Sequence, residues 1–221
     1  MYVAWKYLHL LLFVFWIGTD VGVLLLARKF RDASLSVDAR VALLQQALVI
    51  DLLPRICFVI MLPAGATLAR SAGLIEVPAL HLAVLWVAAI AWLALGLTAA
   101  KNADKPAGPA LQKAHWTVLA LIGLALIAGG GWLTAAGLPD TAPWLGAKLV
   151  LYGLVCLAAI GIDWAFMPIG PATVKLVTEG SSPALEATIT ATVNRALLFV
   201  YTLYALVLGA ALIGVAKPFR G

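Results

Sequence analysis

Charge is what this chain has least of. Only 11% of its 221 residues are Asp, Glu, Lys or Arg, against 64% that are hydrophobic, where a soluble domain carries about 25% charged residues. That shortage excludes a water-exposed globule and makes the chain a membrane protein. Sulfur is also scarce. The two cysteines, Cys57 and Cys156, both fall inside apolar runs, so there is no disulfide framework and no CxxC metal pair, and both read as buried thiols. Three methionines, Met1, Met61 and Met167, supply few soft ligands for copper. The net charge of +5 is not a nucleic-acid footprint, because the basic residues are scattered through short connections where positive charge sets membrane orientation. The N-terminal run begins like a signal peptide, but it is long and no small-residue cleavage site follows it, so it reads as a retained span.

What is abundant is apolar length. Six stretches suffice to cross a bilayer: residues 2–28, 43–69, 78–100, 115–136, 144–167 and 185–216. The expected fold is all-α, a polytopic membrane helix bundle forming one domain over residues 1–221. Pro54 and Pro63 interrupt the second span. Residues 29–40 read as an amphipathic connection, and 101–113, 137–143 and 168–183 as loops. Gly129, Gly130 and Gly131 allow close helix approach. The loops on one side hold eight cations (Arg28, Lys29, Arg31, Arg40, Lys101, Lys105, Lys113 and Lys175) and the other side four (Lys6, Arg70, Lys217 and Arg220). The positive-inside rule then puts both termini outside a bacterial inner membrane.

Within the first span one stripe carries the polar groups: Lys6, His9, Phe13, Trp16 and Asp20. Steps of three and four return to one helix face, and Lys6 to Asp20 rises about 21 Å, so the stripe must line a bundle interior rather than meet lipid. Span five carries Lys148, Tyr152, Cys156 and Asp163 near one face, and span six carries Thr188, Thr192, Arg195, Phe199 and Thr202. Asp51 and Arg55 stand four apart and can pair. Spans one and five also echo one another, with Lys6, Gly18 and Asp20 matching Lys148, Gly161 and Asp163, each followed in the next span by an arginine, Arg55 or Arg195. Such an echo suits a parallel duplication or a coincidence.

Charges inside a membrane are expensive unless paired. Asp20, Asp51 and Asp163 balance Arg55, Arg195 and Lys148 three to three. They either lock the bundle in salt bridges or form a proton route or a grip on an anionic group such as a porphyrin propionate. Lys6 is near enough to a helix end to snorkel. Histidine is a common ligand for haem iron and copper. His9 and His81 lie at similar depth and can bracket one metal centre, while His115 stands alone at the other end, as an interfacial histidine does.

At His9 the pattern becomes familiar. The run from Tyr2 through Trp5, Lys6 and Leu8 to His9, followed by Phe15-Trp16-Ile17-Gly18, resembles the first span of HemJ-type membrane protoporphyrinogen oxidases and of CopD-like copper-resistance proteins. Trp144-Leu145-Gly146-Ala147-Lys148-Leu149 is similar to the HemJ segment Trp-Leu-His-Ala-Lys-Leu, and Lys217-Pro218-Phe219 is similar to its C-terminus. Asn194 falls where that family has Asn-Glu. Matching segments cover about half of the chain. Gly146 replaces the motif histidine, Ile160 stands near where a second histidine is usual, Arg195 replaces the glutamate, and residues 78–136 form an added hairpin.

The resemblance implies haem b. By it His9 is the axial ligand with Lys148 or His81 opposite, His9 and His81 are the metal candidates, and Trp16, Arg55 and Arg195 help to bind the cofactor. Lys148 and Asp20 are the catalytic candidates. The implied activity is electron transfer or oxidation of a tetrapyrrole or quinol. The CopD side implies a copper or ion transporter, and a cofactor-free subunit of a larger membrane complex is the third class. Expected partners are the lipid bilayer, a redox partner or larger complex, and a second copy of the chain.

Overall fold

A computed structural model describes residues 1–140 and 142–218. Phe219 of the C-terminal motif and Arg220 of the charge count lie outside the described residues. The described chain is all helix, without a strand, in eight segments: α1 (Tyr2–Phe30), α2 (Val37–Ile50), α3 (Leu52–Ser71), α4 (Ala79–Lys101), α5 (Gly108–Ala135), α6 (Trp144–Phe166), α7 (Ile169–Glu179) and α8 (Pro183–Ala216). They make six stretches long and apolar enough to cross a membrane, with α2 and α3 forming one and α6 and α7 another. The chain is a multi-pass membrane protein.

Proline sets the breaks. Pro54 has no N–H for the carbonyl of Ile50, so the second span bends at Asp51 and resumes as α3, while Pro63 stays within α3. Pro168 separates α6 from α7 in the same way. Two expected loops are partly helical. Residues 169–179 form α7, whose Ile169, Ala172 and Leu176 are buried. The fourth span starts at Gly108, with Pro109 in its first turn, instead of at 115.

In space the spans follow their chain order around a ring. α1 packs on α3, α3 on α4, α4 on α5, α5 on α6, and α6 on α8, and a thin contact between α8 and α1 closes it. One end carries both chain termini (the terminal end), and the other carries the α1–α2, α4–α5 and α7–α8 connections (the connection end). The main core joins Trp16, Phe58, Trp92, Leu119, Val155 and Leu203, and a second core at the connection end joins Phe30, Leu44, Leu176, Ile189 and Val193. The α1–α2 connection is held by Lys29 and Ser34, which both bond Asp32 and keep its exposed carboxyl well below the usual carboxylate range.

Arg40 is where the connection departs most from expectation. It is only 1% exposed. Its Nε donates to the carbonyl of Phe30 at 2.8 Å, and its two terminal nitrogens donate to both carboxylate oxygens of Glu186 at 2.6 and 2.8 Å. A residue counted as a loop cation is therefore an internal clamp joining α1, α2 and α8.

Candidate functional site

Two polar regions lie inside the ring, one towards each end. Towards the terminal end, α1 presents His9 to α3, where Gly65 leaves room for the ring: a Cβ there would stand 3.2 Å from His9 Cε1. The buried Nδ1 of His9 has no hydrogen-bond partner. From the far wall, one turn into α6, Lys148 runs its Nζ 5.7 Å from the centre of the Trp144 ring and against Gly214 of α8, where a Cβ would stand 2.8 Å away. Its charge falls within electrostatic reach of His9. Among the described residues no carboxylate forms an ion pair with Lys148.

Below this pair the interior is aromatic. Phe58 of α3 is the hub, with ring centres of Trp16 and Trp92 at 5.3 Å and of Tyr152 at 5.4 Å. These are ordinary separations for edge-on and offset contacts. The Tyr152 hydroxyl donates to the Phe58 carbonyl and ties the layer to α6.

Beyond the layer, towards the connection end, lies a cavity of about 190 Å³ lined by Trp16, Asp20, Asp51, Arg55, His115 and Asp163 together with apolar residues of α1, α2 and α8. Arg55 donates to Asp51 at 2.5 Å and to Asp163 at 3.2 Å. Gln112 and Trp116 of α5 donate to the other oxygen of Asp163 at 3.1 and 3.2 Å. Asp20 faces this group from α1. The Tyr204 hydroxyl of α8 is turned towards it without closing a hydrogen bond of good geometry. His9 and Asp20 are eleven residues apart, about 16 Å along α1, so the two regions do not touch directly.

The expected residues divide clearly. Asp20, Trp16 and Arg55 border the cavity. His9 and Lys148 converge at the terminal end. His81 is exposed in the first turn of α4, away from the interior, although α4 meets α1 one turn further on through Trp86 and Trp5, with ring centres 5.9 Å apart. Arg195 is exposed too, its guanidinium 5.6 Å from the Trp164 ring on the outer side of α6 and α8. Thr188 and Thr202 of the same stripe bond their own helix carbonyls, Ala184 and Leu198. Lys6 is exposed over the Tyr2 ring at 6.0 Å. The balance of three cations to three carboxylates therefore does not form in space. Arg195 sits outside and Lys148 at the other end, leaving one guanidinium among three aspartates.

His115 is the residue that sequence reasoning set aside. It is 8% exposed, lines the cavity, and has no partner for its buried Nδ1. Gly96 of α4 makes room for it, since a Cβ there would stand 2.8 Å from the ring. Pro109 was the available signal: proline suits a helix's first turn, and a start there carries His115 two turns into the span. Among the described residues no three His, Cys, Asp or Glu side chains gather as a metal site. Comparison with protein-family models, with curated proteins and with solved structures gives no match to this chain.

Proposed function

We propose that this chain is a haem b-binding protein of a bacterial inner membrane, acting in electron transfer or in oxidation of a tetrapyrrole or quinol. The observation that carries the reading is the convergence of His9 and Lys148, 139 positions apart in the chain, on one interior region. The donor set suits the group. His9 offers an imidazole with an unpartnered buried nitrogen. Lys148 offers an amine that no carboxylate holds, which is a nitrogen donor once deprotonated. On this placement Lys148, rather than the exposed His81, is the residue that would hold the group together with His9. Bound haem supplies one-electron chemistry, with its potential set by axial ligands and burial. The chain's own part is to orient the imidazole on Gly65, to keep the amine in apolar surroundings beside Trp144, and to exclude water with the aromatic layer.

A second reading, an ion-handling protein, is favoured by one observation: two polar regions stand on opposite sides of an aromatic layer, as the two halves of a gated path do. The test is an absorption spectrum of protein purified in mild detergent from haem-replete cells, oxidised and dithionite-reduced, beside His9→Ala. A Soret band and reduced α-band that vanish in the variant are expected. A colourless wild type overturns the haem reading, and ion flux in proteoliposomes then decides for the second.

A further inference from the structure

The cavity is two-faced. Its floor is the pair of rings Trp16 and Phe58, and its polar wall is Asp20, Asp51, Arg55, Asp163 and His115. The rest of the lining is apolar and comes from every helix but α7, including Val23 and Leu24 of α1, Leu48 of α2, and Val193, Leu197 and Val200 of α8. It is also unsealed: Leu48 lines it and is 54% exposed. Around that mouth the outer surface is greasy, with Val21 and Leu25 of α1, Val49 of α2 and Leu198 of α8 all exposed. The mouth therefore opens to lipid, on the side where α1 and α8 make the thinnest contact in the ring.

We infer that this cavity binds a membrane-dissolved quinol, with its ring on Trp16 and Phe58, its hydroxyls donating to Asp20 and to His115, and its apolar tail leaving past Leu48. Three properties select that chemistry. Two carboxylates beyond the one that balances Arg55 repel an anionic head and accept hydrogen bonds from a neutral donor. His115 borders the cavity, and with its Nδ1 sealed inside the protein against Gly96, its other ring nitrogen is the one within a ligand's reach. The aromatic floor suits a flat ring. Size agrees as well: about 190 Å³ is below the roughly 300–1,000 Å³ of pockets that hold drug-sized ligands, so a single ring head fits and a tail stays in the mouth. The inference stands on the cavity alone, whether or not haem is bound at the terminal end.

The test is photolabelling of the full chain in nanodiscs with an azido-quinone of short tail, mapped by mass spectrometry, with decyl-ubiquinol as competitor. Labels in residues 16–27, 44–59 and 193–203 that the competitor removes are expected. Leu48→Trp, which adds bulk at the exposed mouth, should abolish the competed label. His115→Leu, which removes both ring nitrogens, should weaken the competitor about five- to tenfold, as one lost hydrogen bond does. Labelling spread over the lipid-facing surface and not competed overturns the proposal. So does competition by dodecylamine at concentrations where decyl-ubiquinol fails, which assigns the cavity to cationic amphiphiles. Neither outcome bears on the haem spectrum, so the two readings fail separately.

Discussion

Arg40 shows how a single side chain holds the connection end together. A guanidinium has five donors and no water to lose them to here, and three are used: one by the Phe30 carbonyl and two by the Glu186 carboxylate. Ser181 adds a hydroxyl to the same carboxylate at 2.7 Å. Breaking such a buried pair from one side costs about 3–5 kcal/mol, because the remaining partner is left uncompensated. Glu186 keeps 17% exposure, so the lower figure applies to loss of the arginine. Arg40→Met should lower thermal stability in detergent by about 3 kcal/mol. Adding Glu186→Gln to it should cost far less than the sum of the singles, since both remove one interaction. Strict additivity in that cycle would show that the pair contributes nothing. None of this was visible in the chain order, where Arg40 and Glu186 stand 146 positions apart and Arg40 reads as one more loop cation.

At the scale of the helix, the α5–α6 seam shows what glycine at position 146 allows. Lipid tails are as apolar as leucine, so helices in a membrane gain from close packing rather than from hydrophobic burial. Here Gly123 and Gly130 of α5 meet Gly153 and Gly146 of α6 in antiparallel register. A Cβ at Gly130 would stand 2.6 Å from the Gly146 carbonyl, and one at Gly146 would stand 2.7 Å from the Gly130 carbonyl. Both obstacles are backbone and cannot swing away. Of the triple Gly129-Gly130-Gly131 only the middle residue makes the approach, the outer two having nothing within 4 Å of an added Cβ. Gly146→His should therefore force the helices apart and reduce the yield of folded protein in detergent several-fold, while Gly131→Ala should leave it unchanged. A well-folded Gly146→His protein would show that the seam is not rigid. The existence and order of the spans were legible because apolar length is a strong signal. The glycine register was not, because it depends on which face of α5 turns to α6. The helical starts at Val37, Gly108 and Ile169 were hidden because their first turns are polar or proline-flanked and read as connections.

At the scale of the whole molecule the charges are arranged in layers. The apolar ring keeps His9 and Lys148 towards one end, the aromatic hub in the middle, and Asp20, Asp51, Arg55, Asp163 and His115 towards the other. The sequence foresaw that the first-span stripe turns inward from His9 to Asp20, since its period matches the helix, but its first member, Lys6, is exposed. It missed that Arg195 turns outward, because one cation on a long apolar helix fits either face until a neighbour such as Trp164 receives it. With Arg40 internal, the connection end still exposes or half-exposes Arg28, Lys29, Arg31, Lys101, Lys105, Lys113 and Lys175, against Lys6, Arg70 and Lys217 among the described residues of the terminal end. With Arg220 of the sequence counted as well, that is seven cations against four, an asymmetry of the same sign as the eight to four read from the chain alone, and the positive-inside rule then predicts that the connection end faces the cytoplasm. Cysteine labelling checks this cleanly, because native Cys57 and Cys156 are both buried. In right-side-out vesicles an impermeant maleimide should label Glu76→Cys and spare Asp104→Cys until the membrane is opened. The reverse pattern would invert the protein and move the carboxylate cavity to the outer half. The expected pattern places that cavity in the cytoplasmic half, so a proton leaving a bound quinol at Asp20 or His115 has its shorter exit on the cytoplasmic side, while His9 and Lys148 face the opposite compartment.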